Sequence, residues 1–447
     1  MADAPGTADA GTVRLEEVLV EVFSRMRDVK DIFRCAATCR RWLRLFTDPD
    51  FLRRIWPETD CARLRGLFLK GPDRGNMRRI CFVPRPESSP LGLEDCSRIT
   101  SFALNNNQED ESGLLASSRG IILRHIFTYC CCFRSHTDIF LSNPITGAVD
   151  KFAAPTGCRC LNVSVAGHAI LTAADDGDFS RERRRPSTRR HSTFSQLLLI
   201  GHHQDDQRLH QHLHAYSGVT GRWSASVAIR HRSRLRMAGA RAGVVHQSAA
   251  HWLYRDETID AALPQDKRGL YMLVATAATE RVSLTKLPIQ TAGGQPYVCV
   301  ARDGRLSVAC VHHMRVDVWT QQDDEDAGSS NLAAWLLAQM FGKKNWLLSQ
   351  VIQMPSTAPA NENFMSCKWF YFNKGAMMAV YGGNGVFVLD LDTKAMEKIM
   401  DLSDCAPSYG YYMCVPYEMD LPEFFLAQLG GLAAIHRERE VGWRWPW

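Results

Sequence analysis

Cysteine and histidine are the residue types with which this 447-residue chain could bind a metal, and it contains 15 of each. The adjacent Cys130, Cys131 and Cys132 would alternate between the two faces of a strand, so they cannot all bind one zinc ion. Cys158 and Cys160 have no second pair at a zinc-finger spacing. The sequence therefore predicts no structural metal and no cofactor, and it favours reduced thiols or buried small apolar residues at these positions.

Three histidines at alternate positions, His210, His212 and His214, would share one face of a strand. Three imidazoles can bind a transition metal, but no carboxylate or cysteine stands at a supporting position on that strand. A solvated polar face is therefore the favoured interpretation. The sequence also lacks the nucleophile elbow, the phosphate-binding loop and the glycine fingerprint of common enzymes. We accordingly predict no catalytic residues and no enzyme activity.

An arginine-rich run over 181–192 is the strongest charge feature of the chain. Ser187 and Ser192 each follow an Arg-Arg-x sequence, which makes both candidate phosphorylation sites. The run also fits a nuclear import signal or a contact with an acidic partner. The favoured interpretation is a solvated basic loop over 174–195 between two strands.

Composition limits the remaining classes of function. The chain is 45% hydrophobic and 23% charged, with 53 basic and 48 acidic residues and a net charge of +5. These values predict a globular protein of more than one domain and argue against a dedicated nucleic-acid binder. The start of the chain lacks the pattern of a signal peptide and is predicted to be a disordered tail over 1–11. With no long apolar stretch, we expect no membrane association and a cytoplasmic or nuclear protein.

The clearest periodicity begins after Thr12, a candidate helix N-cap. Apolar residues then recur at the spacing of one helix face, at Leu15, Val18, Leu19, Val22, Phe23 and Met26. A second short helix is predicted to carry Ile32 and Phe33, and a third to carry Cys39 and Trp42 before Pro49 ends it. Because a unit this small can hardly bury all of its apolar surface alone, we expect it to dock onto a partner or onto the rest of the chain.

These residues resemble an F-box. The landmarks are the Leu15–Met26 helix, the Ile32-Phe33-Arg34-Cys35-Ala36 run, Cys39-Arg40-Arg41-Trp42 and Asp48-Pro49-Asp50-Phe51-Leu52. The chain departs from the family pattern at Glu16, where proline is usual, and at Thr38, where valine is usual. The resemblance implies an F-box over 12–57 that binds a Skp-type adaptor. The implied adaptor-binding residues, shared with the core of the F-box itself, are Leu15, Val18, Leu19, Val22, Phe23, Ile32, Phe33, Cys39 and Trp42.

From residue 58 to 447 the pattern changes to short apolar or alternating runs separated by turn residues, which predicts an all-β domain. Three segments, 138–147, 213–223 and 385–394, share the form of an apolar strand followed by a turn. Weak repetition of this kind is typical of a β-propeller, here of about six blades with long loops. A pair of β-sandwiches is the competing architecture. The pattern resembles the propeller domains of large plant F-box families, including the closing Tyr417–Leu421 segment.

The resemblance implies a non-catalytic function in protein degradation. The F-box would hold the Skp-type adaptor, and through it the cullin and RING subunits of a ubiquitin ligase. The β domain would recruit an unidentified protein substrate for ubiquitination. The alternative is a scaffold protein outside any ligase, in which the basic loop binds an acidic partner or nucleic acid.

Overall fold

The structure is a computed structural model of the full chain. It describes residues 17–23, 25, 29–55, 64–70, 80–85, 112–129, 135–144, 148–155, 166–172, 194–205, 208–229, 235–256, 269–276, 281–322, 345–354, 367–381, 385–402, 413–419, 421–422 and 424–425. Several sequence predictions lie outside these residues. They concern the tail over 1–11, Leu15, the cysteines at 130–132, 158 and 160, and the part of the basic loop that carries Ser187 and Ser192.

Four short helical segments open the described part of the chain: α1 over 17–23, α2 (Val29–Thr38), α3 (Arg40–Phe46) and α4 (Pro49–Ile55). The sequence predicts three, with Pro49 as a stop signal. The same proline instead starts α4, because a proline lacks only an amide that the first turn of a helix leaves unpaired. The Asp48 carboxylate caps this helix and accepts a hydrogen bond of 2.9 Å from the Asp50 amide.

Strands then form six antiparallel sheets among the described residues, which we call blades 1 to 6. Blade 1 contains β1 (Leu64–Lys70), β2 (Ile80–Pro84) and β24 (Met413–Glu418). Blade 2 contains β3 (Ser112–Ser118), β4 (Ile121–Tyr129), β5 (Ser135–Asn143) and β6 (Ala148–Ala153). Blade 3 contains β7 (Gly167–Thr172), β8 (Phe194–Asp205), β9 (Arg208–Ser217) and β10 (Val227–Ile229). The basic loop predicted over 174–195 therefore ends by Phe194, where β8 begins.

The second half of the chain supplies three further blades. Blade 4 contains β11 (Leu235–Ala238), β12 (Val244–His246), β13 (Ala249–Asp256), β14 (Leu270–Thr276) and β15 (Arg281–Leu287). Blade 5 contains β16 (Gln295–Val300), β17 (Leu306–Val311), β18 (Arg315–Gln321) and β19 (Trp346–Gln353). Blade 6 contains β20 (Cys367–Asn373), β21 (Ala376–Tyr381), β22 (Gly385–Asp390) and β23 (Met396–Met400).

The six blades close into a ring. The last strand, β24, pairs with β1 in blade 1, from Lys70 opposite Met413 to Leu64 opposite Glu418. Apolar clusters fill the spaces between successive blades, including one between blade 6 and blade 1. Middle strands such as β17 and β21 are buried along their whole length because each blade is covered on both faces. The fold is therefore a six-bladed β-propeller that follows the short helices, and the paired β-sandwich is excluded.

One apolar cluster joins the helices to the propeller. Its buried members come from α1 to α4, from blades 1 and 2, and from a short segment after β24. The helical members are Phe23, Ile32, Ala36, Phe46, Phe51 and Leu52. The propeller and C-terminal members are Phe68, Phe82, Ile122, Val415, Tyr417, Met419, Leu421, Phe424 and Phe425. The helices thus share a core with blade 1 and do not stand apart from it.

A buried histidine on the first strand of blade 3 is expected to make the stability of the propeller dependent on pH. His168 on β7 is buried, and neither ring nitrogen has a hydrogen-bond partner within the described residues. Burial, together with the nearby Arg241 and His125, lowers the pKa of His168 from 6.5 to about 3. Below pH 6.5 the unfolded chain therefore binds a proton that the folded chain excludes.

Acidification is expected to destabilise the fold through this residue. Between pH 6.5 and pH 5.0 the free energy of unfolding should fall by about 2 kcal/mol from His168 alone, at about 1.4 kcal/mol per pH unit. Above about pH 7.5 the contribution should be constant. Chemical denaturation at a series of pH values measures this slope, and His168→Leu should flatten it. An unchanged slope in the variant would contradict the assignment.

Candidate functional site

Helix α1 presents two apolar side chains to solvent. Val18 is 58% exposed and Val22 is 52% exposed. Residues four apart lie on the same face of a helix, so the two valines form one apolar stripe. Just after α1, the Arg25 Nε donates a hydrogen bond of 2.9 Å to Glu21 Oε1 of the helix. The stripe therefore lies beside an exposed ion pair. An apolar patch with a charged border is typical of a docking surface.

The opposite side of α1 is anchored by Phe23, which is buried at the centre of the helical unit. Its ring centroid lies 4.7 Å from that of Phe46 and 5.4 Å from that of Trp42, and both pairs meet edge to face. It also meets Phe51 of α4 at 6.2 Å. Phe23 thus holds α1 against α3 and α4, and Ile32 of α2 is buried in the same cluster. Both residues supply the core on which the exposed valines rest.

The outer face of α2 is covered by the segment after β24. The Phe33 ring stacks on Phe425 with centroids 4.5 Å apart and planes at 25°. Phe424 meets the same ring edge to face at 6.1 Å. The sequence predicts Phe33 as an adaptor contact and does not predict its intramolecular partners. The two adjacent phenylalanines at 424–425, just after the last strand, are the sequence feature that could have indicated these partners.

The remaining predicted site residues range from partly buried to exposed. Leu19 and Trp42 are partly buried and pack against the shared cluster. Cys39 is exposed and stands in extended backbone as the residue before α3. Among the predicted residues that the structure describes, Val18, Val22 and Cys39 are therefore the most accessible to a partner.

A family model described as F-box-like matches residues 16–57. These residues form an F-box-like domain. The match covers all four helices described above, and the six-bladed propeller follows it. An F-box-like domain implies in general a role in holding substrates for a ubiquitin ligase through a Skp-type adaptor.

The chain was also compared with curated protein sequences and with solved structures. No curated protein sequence matches it. An acylaminoacyl peptidase from Pyrococcus horikoshii is similar at 8% identity with a TM-score of 0.33, over 65% of this chain and 40% of that one. TolB from Acinetobacter baumannii is similar at 8% identity with a TM-score of 0.38, over 82% of this chain and 70% of that one. The β-propeller domain of the Trilobed protease from Pyrococcus furiosus is similar at 8% identity with a TM-score of 0.34, over 66% of this chain and 72% of that one.

Outside the F-box-like domain, histidines and cysteines of the propeller are the residues that could bind a metal or react. The His212 and His214 rings stack at 6.3 Å on β9, and His214 is buried, so the predicted solvated face is wrong at that position. Within the described residues, no three histidine, cysteine or acidic side chains are grouped to hold a metal ion. Burial raises the pKa of the Cys299, Cys310 and Cys367 thiols to about 12, so they stay protonated and unreactive at neutral pH. In the same described part, no helix is both long and apolar enough to cross a bilayer.

Proposed function

We propose that this chain is the substrate-recognition subunit of a Skp-cullin-F-box ubiquitin ligase. Its F-box-like domain binds a Skp-type adaptor, and its propeller recruits a protein target for ubiquitination. The observation that carries the proposal is the exposed pair Val18 and Val22 on α1, within a domain whose other described large apolar residues are buried or partly buried. A domain whose core is well packed and that still exposes an apolar stripe is suited to docking.

The adaptor interface that we propose divides the predicted residues by their burial. Val18 and Val22 are the anchors, and Leu15, Leu19, Cys39 and Trp42 extend the contact around them. Phe23 and Ile32 support this surface from beneath, and Phe33 holds α2 against the segment after β24. The exposed arginines of α3, Arg40, Arg41 and Arg44, form a basic border that orients the adaptor.

The connection between the two domains supports the same function. Phe33 of α2 stacks on Phe425, which follows the last propeller strand, and both belong to the cluster that contains Tyr417 of β24. A shared core holds the propeller at a fixed position relative to the adaptor. A ligase needs such an arrangement, because a target must be presented at a constant distance from the ubiquitin donor.

The proposal also includes a domain boundary, a location in the cell and two modification sites. We place the domain boundary near residue 58 and the protein in the cytoplasm or nucleus. Ser187 and Ser192 in the basic loop are proposed phosphorylation sites. We also propose a relationship to plant-type F-box proteins, which the sequence resemblance of the closing Tyr417–Leu421 segment supports.

Co-purification tests the proposal. Tagged full-length chain, expressed together with a Skp-type adaptor, should recover the adaptor in equimolar amount, and should recover cullin and RING subunits when these are added. Folded chain that recovers no adaptor would overturn the proposal. Leu19→Asp is a poor disrupting variant, because Leu19 packs partly against the shared core and its loss can unfold the domain.

A further inference from the structure

Arginine and lysine are unevenly distributed between the two halves of the propeller ring. Blades 4 to 6, over residues 231–400, contain 10 arginines and 8 lysines. The rest of the chain, which supplies the helices, blades 1 to 3 and the segment after β24, contains 32 arginines and 3 lysines. A preference of the whole chain for arginine would act on both parts alike, so it does not account for the difference.

The lysine-poor part of the chain is continuous in space. The buried cluster that joins the helices to the propeller takes its other members from blades 1 and 2 and from the segment after β24. Residues 401–447, which supply β24 and that segment, contain no lysine. The two ends of the chain thus share the same composition where they meet. The scarcity of lysine follows position in the fold and not position along the sequence.

Blades 4 to 6 use arginine mainly where its planar fork binds a carboxylate. Arg302 binds Asp390 at 2.7 Å and Asp392 at 2.9 Å, and Arg305 and Arg315 each bind an aspartate of their own blade. The same blades also carry exposed lysines. Those that the structure describes are Lys286, Lys368, Lys374, Lys394 and Lys398. The surface of this propeller therefore tolerates lysine.

The helices use arginine also where its fork has no carboxylate to bind. Arg41, Arg44 and Arg54 are exposed, and within the described residues their side chains form no ion pair and no hydrogen bond. Lysine would supply the same charge at such positions with a similar helix propensity. Neither ion pairing nor charge explains why α3 and α4 together contain five arginines and no lysine.

The chemical difference between the two side chains is that lysine can accept ubiquitin. The neutral amine of a lysine attacks the thioester carbonyl that joins ubiquitin to the cysteine of a conjugating enzyme. An isopeptide bond forms, the thioester bond breaks, the cysteine leaves as a thiolate and the amine releases a proton to solvent. The guanidinium of arginine stays charged and delocalised, so it does not react in this way. A surface of arginines is therefore positive without offering an acceptor.

We propose that the helices and blades 1 to 3 form the side of the chain that faces the ubiquitin-conjugating enzyme, and that arginine in place of lysine there protects the chain from its own ligase. This inference rests on the proposed function, because the adaptor on the F-box-like domain is what brings the conjugating enzyme near. Tethering gives the adjoining surface a high effective concentration of the ubiquitin thioester, so even a poor acceptor there would be modified.

Three lysines remain in this part of the chain, Lys30, Lys70 and Lys151. The Lys151 Nζ lies 2.6 Å from the Asp138 Oδ2 and also stands over the Phe140 ring, 5.6 Å from its centroid. Its amine must leave both groups before it can react. The lysine of blade 2 is thus held in an ion pair and is not presented as an acceptor.

Self-ubiquitination by the reconstituted ligase tests the proposal. The full chain is assembled with a Skp-type adaptor, cullin and RING subunits, activating and conjugating enzymes, ubiquitin and ATP. Arg34→Lys/Arg53→Lys/Arg54→Lys keeps the charge at three exposed positions of α2 and α4, outside the residues that we assign to the adaptor interface. We expect this variant to be ubiquitinated at least about 10-fold faster than the wild type, with ubiquitin mapped to the introduced lysines by mass spectrometry.

The matched control adds three lysines to an exposed strand on the other half of the ring. It is Arg281→Lys/Ser283→Lys/Thr285→Lys on β15 of blade 4, and its rate should stay within about twofold of the wild type. Adaptor recovery and circular dichroism verify that both variants bind the adaptor and are folded. Discharge of the ubiquitin thioester to free lysine verifies that each assembled ligase is active.

The outcomes separate this inference from the proposed function. If the variant on α2 and α4 is modified no faster than the wild type in an active ligase, the inference is overturned and the proposed function stands. Equal acceleration by the lysines of β15 would also overturn it, because the position of an acceptor would then not matter. A folded chain that recovers no adaptor would overturn the proposed function, and this inference with it.

Discussion

Replacing Phe425 by alanine is expected to lower the free energy of unfolding by about 3–5 kcal/mol. Phe425 is fully buried and stacks on Phe33 at 4.5 Å, so its removal leaves a cavity between α2 and the end of the propeller. Denaturant titration measures the loss. Hydrogen exchange should also show faster exchange over Val29–Thr38, because α2 loses the ring that covers it.

The matched control is Phe372→Ala in the cluster between blades 6 and 1. Phe372 is buried to a similar extent, so this variant should cost a comparable free energy of unfolding. It should leave the exchange of α2 at the wild-type rate under native conditions. If Phe425→Ala changed neither the unfolding free energy nor the exchange of α2, this would contradict a core shared by the two domains.

The double substitution Val18→Asp/Val22→Asp is expected to weaken adaptor binding by about 100-fold or more. It places two carboxylates on the stripe that we propose to be desolvated by the adaptor. Because both valines are more than half exposed in the free chain, the unfolding free energy should change by no more than about 0.5 kcal/mol. Binding by calorimetry and stability by denaturant titration separate the two effects.

Val219→Asp is the control for this variant. Val219 is an exposed valine in a turn of blade 3, away from α1, and its substitution should leave adaptor affinity unchanged. Full adaptor affinity in Val18→Asp/Val22→Asp would exclude the α1 stripe as the docking surface. Loss of binding accompanied by unfolding of the F-box-like domain would show that the valines are structural.

The helical face of α1 and the repeated strands of the propeller are predictable from the sequence, because each depends on a local periodicity. The series from Val18 to Phe23 predicts an apolar face but cannot say which part of it the chain itself covers. That division depends on Phe46, Trp42 and Phe51 packing around Phe23, and thus on how α3 and α4 fold back.

The contacts that the sequence does not predict are either distant or irregular. Phe33 meets Phe424 and Phe425 from the far end of the chain, and a helix pattern contains no information about such a partner. The strand β19 has no simple alternation, because the bulge shifts Leu348 and Val351 onto one face. The start of α4 is missed for a different reason, since Pro49 reads equally well as the end of one helix or the first residue of the next.

Hydrogen–deuterium exchange of the full chain, with and without a purified Skp-type adaptor, tests whether α1 is the adaptor-binding surface. We expect slower exchange on adaptor binding in α1, over residues 17–23, and no change in β19 of blade 5. Unchanged exchange in α1 at saturating adaptor, or protection confined to the propeller, would contradict it.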